Sequence, residues 1–82
     1  MLFMDIPYVV ENNRIDKDKV QKELSISDIS ERVRNETFAA IYNLKPRGVT
    51  FENTDLRQAQ TLEIVLSKLG IPYRLAEVSE FA

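Results

Sequence analysis

The sequence predicts an α/β fold of the α+β kind, a two-layer sandwich of order β-α-α-β-α-β in which helices cover a small three-stranded sheet. Three observations predict it. Apolar residues alternate at period two from Leu2 to Val10. Two stripes of helical period follow, across 26–44 and 56–69. Gly70 and Pro72 then stop the second stripe just before another alternating segment. The 82 residues, 44% hydrophobic and 29% charged, suffice for one domain spanning 1–82 and leave no length for a second.

Taken in order, Leu2, Met4, Ile6, Tyr8 and Val10 predict a half-buried strand, and Pro7, lacking an N–H, places it at a sheet edge or in a bulge. Glu11 to Arg14 is a polar turn. A short helix runs from an N-cap at Asp16 to Leu24, with Val20 and Leu24 inward. A second helix starts at Ser25 or Ser27 and ends near Leu44, on a stripe of Ile26, Ile29, Val33, Thr37, Ala40, Ile41 and Leu44. Val49 to Phe51 form a short strand, and Asn53 or Thr54 caps a third helix. That helix buries Leu56, Ala59, Leu62, Val65, Leu66 and Leu69 and ends on a left-handed Gly70. Ile71, Tyr73 and Leu75 open the last strand.

Composition narrows the chemistry. Neither His nor Cys occurs, which removes the commonest general base, the Cys–His and Ser–His–Asp arrangements, and zinc sites built on His or Cys. The acidic residues are scattered and read as solvated surface, and two glycines cannot build a phosphate-cradling loop. The expectation is a chain that is not an enzyme and uses no metal or cofactor. Absent cysteine votes for a cytoplasmic location. Asp5 interrupts the apolar start, which has no basic flank, so no signal peptide or membrane anchor is expected.

Two groups remain as candidate sites. Phe38 and Tyr42 lie off the stripe of the second helix, so they either pack under a neighbouring element or present a docking surface for a partner peptide or subunit. Lys45 and Arg47, with Arg74, are either a solvated turn or a small basic patch. A net charge of −2 makes nucleic acid the less favoured partner. Ile64 points away from the stripe of the third helix. The chain is expected to be a monomer, or a homodimer paired along the strand at Leu2 to Val10.

The element order, and the stretch from Lys45 to Glu80 with Gly48-Val49, Thr54-Asp55-Leu56, Ala59, Leu62 and Gly70-Ile71-Pro72-Tyr73-Arg74-Leu75, resembles the fold shared by the Clp protease adaptor (ClpS) family and the C-terminal domain of the bacterial ribosomal stalk protein. About half of the chain matches in pattern. The resemblance implies an adaptor-like module. It would put Asn12 and Asn13 on a loop that binds the α-amino group of a degron peptide, and Phe38 and Tyr42 near its side-chain pocket. That family also uses a loop carboxylate and a helix histidine; here Glu11 is the nearby acid and no histidine exists. The expected function is a small non-enzymatic module binding a protein or peptide partner. The alternative is a nucleic-acid- or ribosome-associated regulator using Lys45, Arg47 and Arg74.

Overall fold

The computed structural model describes residues 1–42 and 48–77. The order is β1 (Leu2–Asp5), α1 (Lys17–Ile26), α2 (Glu31–Ile41), β2 (Gly48–Phe51), α3 (Leu56–Leu69) and β3 (Arg74–Glu77), as the sequence predicts. The strands form one antiparallel sheet of order β2-β1-β3. Since β1 runs against both neighbours, β2 and β3 are parallel to each other across it, and α3 is the crossover that parallel strands require.

β1 is therefore central, not at an edge and not bulged. It ends at Asp5, two residues before Pro7, so the ladder never needs the missing N–H. With both edges paired, β1 offers no edge to a second copy, which removes the expected dimer along Leu2 to Val10. Beyond Pro7 the chain leaves the sheet. Val10–Arg14 form a 3-10 turn, held by Asn12 N–H to the Val9 carbonyl at 3.0 Å and Ile15 N–H to the Asn12 carbonyl at 3.3 Å. Tyr8 and Val10 are accordingly exposed rather than inward.

The register Met4↔Val49 and Leu2↔Phe51 puts these four side chains on the helix-facing side, and Met4, Val49 and Phe51 are fully buried there. Each such burial contributes about 1.5–3 kcal/mol. Phe3, Thr50 and Ala76 occupy the opposite face. From the helices come Val20 and Leu24 of α1, Val33, Ala40 and Ile41 of α2, and Ala59, Leu62 and Leu66 of α3.

Helix boundaries follow their caps. Asp16 Oδ1 accepts from Asp18 N–H at 2.9 Å and starts α1, as expected. α1 then continues through Ser25 and Ile26, so neither Ser25 nor Ser27 caps α2. Ser27 Oγ instead donates back to the Glu23 carbonyl at 2.6 Å, and Ser30 Oγ accepts from Val33 N–H at 3.3 Å as the N-cap of α2. Ile26, the last residue of α1, is 68% exposed and lies outside the α2 stripe, whereas Ile29, Val33, Thr37, Ala40 and Ile41 are buried as predicted. Leu44 lies outside the described residues.

The third helix shows one shift. Asn53–Asp55 form a 3-10 turn, and Asp55 is the N-cap residue of α3 without a side-chain cap bond, so neither Asn53 nor Thr54 has that role. Leu56, in the first turn, is exposed. The other end is as expected. Gly70 has φ +72°, its N–H donates to the Ser67 carbonyl at 3.1 Å, and Ile71 N–H closes on the Leu66 carbonyl at 2.9 Å. Ile71 is buried ahead of β3, which begins only at Arg74.

Candidate functional site

Tyr42 is 6% exposed at the end of α2. Its hydroxyl donates to the Ile15 carbonyl at 2.9 Å, its ring meets Phe38 at a centroid separation of 5.0 Å, and Lys17 Nζ lies 5.1 Å from its centroid. Burial, and then the negative charge of Asp16, push its phenol above the usual value. Tyr42 is thus a packed side chain that ties α2 to the start of α1, not an exposed anchor.

Asn12 is also fully buried. Its Nδ2 donates to the Pro7 carbonyl at 3.3 Å, while its Oδ1 has no partner among the described residues. Asn13 and Glu11 are exposed, and Asn13 Nδ2 donates to the Tyr8 hydroxyl. Residues 11–14 and Tyr42 do come together, through Ile15. They do so as a packed 3-10 turn, however: Tyr42 takes the packed one of its two expected readings, and the burial of Asn12 corrects the expectation that it would face a partner.

Phe38 is different. It is half-buried, with one side against the core and the other on a cleft of about 280 Å³ between α1 and α2. Phe38 supplies its apolar surface above the buried Leu24, and Gln21, Ser25, Arg34 and Asn35 its polar rim. Helical spacing makes this arrangement. Gln21, Leu24 and Ser25 share a face of α1, and Arg34 and Phe38 are four apart on α2. Arg34 Nε donates to the Leu24 carbonyl at 3.2 Å and Nη2 to the Ile29 carbonyl at 3.3 Å, so the guanidinium satisfies carbonyls where α1 ends and the chain turns. Among the described residues Arg34 has no carboxylate partner.

Of the cations expected in a basic patch, Arg74 is exposed on β3 and lies 3.6 Å from Asp5 Oδ2. Lys45 and Arg47 lie outside the described residues, so the basic patch has one described member. Several acids are engaged elsewhere: Glu36 and Asp55 with Arg32 at 3.1 and 3.9 Å, and Glu23 with Lys68 at 3.1 Å. Among the described residues no His, Cys, Asp and Glu group is arranged to hold a metal ion, and no helix is long and apolar enough to cross a membrane. Ile64, 70% exposed, borders a wider depression beside Glu63 and Tyr73, whose hydroxyl donates to Glu63 Oε2 at 3.1 Å.

Sequence reasoning missed Arg34, Gln21, Ser25 and Asn35, each of which looks like ordinary helix surface. The available signal was the Arg34–Phe38 pair at i, i+4, which sets a cation and an aromatic ring on one flank of a helix whose core stripe is elsewhere. Compared with protein-family models, with curated proteins and with solved structures, the chain shows no match.

Proposed function

We propose that this chain is a small, non-enzymatic, adaptor-like interaction module that binds a protein or peptide partner in the cleft between α1 and α2. The observation that carries this reading is the cleft itself: Leu24 and Phe38 beneath a polar rim whose one charged member, Arg34, lacks a carboxylate partner among the described residues. Apolar surface with a few polar groups around it is the general form of a recognition site, and a partly exposed aromatic ring gives contact area at low entropy cost. The resemblance to the Clp adaptor family adds the expectation of a peptide ligand, and Phe38 belongs to both lines of reasoning.

The test uses the partner recovered from the native host and then purified. Its affinity is compared for wild type, Phe38→Ser and Asn35→Glu, the last of these altering an exposed rim residue that makes no core contact. A loss of about tenfold or more in both variants is expected. Unchanged affinity in both overturns the proposed face.

A further inference from the structure

Resting on that reading, we infer that the α1–α2 cleft accepts the C-terminus of a partner chain: an apolar final side chain against the exposed side of Phe38, with its free α-carboxylate on Arg34. Three observations lead there. The first is charge. Of the described residues lining the cleft only Arg34 is charged and none is an acid, and Arg34 Nη1 has no hydrogen-bond partner among the described residues while Nε and Nη2 are held by backbone carbonyls. The guanidinium is therefore fixed in place with one donor nitrogen unused, and a carboxylate is the ligand that gains most from a fixed guanidinium.

The second is spacing. Arg34 and Phe38 stand one helical turn apart, so their Cβ atoms are about 5–6 Å from each other. A terminal apolar residue carries both its α-carboxylate and its side chain, so a single residue can meet a guanidinium and a ring that share one helix flank. An internal acid beside an apolar residue in an extended strand points to the opposite face, and one two positions away shares the face but stands about 6–7 Å off along the strand. The third is size. About 280 Å³ falls just below the roughly 300 Å³ at which cavities for drug-sized ligands begin, which suits one side chain with its carboxylate rather than a cofactor. Gln21, Ser25 and Asn35 at the rim supply donors and acceptors for the peptide groups that precede that residue.

The experiment is an amide chemical-shift titration of the isotope-labelled chain with three N-acetylated five-residue peptides of Gly and Ser. One ends in leucine with a free carboxylate, one ends in leucine carboxamide, and one ends in leucine carboxamide with an internal glutamate. The expected result is saturable movement of the Gln21, Ser25, Asn35 and Phe38 amides with the free acid, about tenfold weaker binding of both carboxamides, and weakening of the free acid by salt. Arg34→Gln is expected to bring the free acid down to the carboxamide level. Because Arg34 also holds two backbone carbonyls, Asn35→Glu is measured beside it and is expected to do the same by repulsion from the rim.

Equal binding of acid and carboxamide at the cleft would overturn the carboxylate assignment and leave the docking reading standing. Equal binding of the internal-glutamate peptide would overturn the chain-end assignment. No movement of the cleft amides with any peptide would overturn this inference, whereas the docking reading falls only when a purified partner binds Phe38→Ser and Asn35→Glu as it binds wild type.

Discussion

The ring of Phe3 lies against the backbone of Gly48 on the open face of the sheet. A Cβ added at position 48 would run into that ring and into the Met4 carbonyl oxygen at 2.6 Å. Gly48 is therefore required by close approach rather than by an unusual dihedral, and the aromatic ring covers the strand where glycine offers no side chain. Gly48→Ala is expected to destabilise the domain by about 1–3 kcal/mol, because the ring can shift but the carbonyl of the central strand cannot. Adding Phe3→Ala should recover only part of the loss. Denaturant midpoints measure both effects, and a Gly48→Ala chain as stable as wild type would contradict the packing described.

Removing the Tyr42 hydroxyl leaves the Ile15 carbonyl without its 2.9 Å donor. Tyr42→Phe should cost about 1–3 kcal/mol by that route. The pH dependence follows from the raised phenol. The folded chain holds the proton more tightly than the unfolded chain, so this contribution is fully present below the unfolded value of 10.0 and is lost as pH rises through the folded value. Wild type should therefore lose stability above pH 10.0 more steeply than Tyr42→Phe, and the gap between them should narrow. Melting temperatures collected from neutral to strongly alkaline pH would show it, and a gap that stays constant would refute the linkage.

Ser30 and Ser25 offer a matched comparison. Ser30→Ala removes the N-cap of α2 and should destabilise by about 1 kcal/mol, which for a domain of this size lowers Tm by roughly 4–8 °C. Ser25, exposed within α1, is expected to tolerate alanine with no loss. The reverse order would return the cap of α2 to Ser25.

Gly70 tests the end of α3. Its φ of +72° is costly for any side chain, and no atom lies near enough to a Cβ there to add a clash. Gly70→Ala should cost about 1–2 kcal/mol from backbone strain alone, with Gly70→Asn the milder change. An alanine variant at wild-type stability would mean that the turn rearranges.

What was legible in the sequence was local. Ala59, Leu62, Val65 and Leu66 fall on one face because helical period and burial agree, and Asp16 and Gly70 end their helices through bonds within a few residues. Misreadings arose where one signal served two structures. Tyr8 and Val10 continue the alternation of β1 but lie past Pro7, in a segment that turns away. Ser25 begins a capping-box pattern yet sits inside α1, because Ser30 has the competing bond to Val33. The cleft was least visible, since it depends on Arg34 reaching the Leu24 carbonyl ten positions earlier in the chain, a contact that periodicity does not encode.

The proposed docking of a partner between α1 and α2 is read out by site-specific photo-crosslinking to a purified partner. A photoreactive side chain is placed at position 35 on the cleft rim in one chain, and at position 64 on the exposed face of α3 in another. A crosslink from position 35, suppressed by Phe38→Ser, and none from position 64 is the expected result. A crosslink from position 64 and none from position 35 would contradict it.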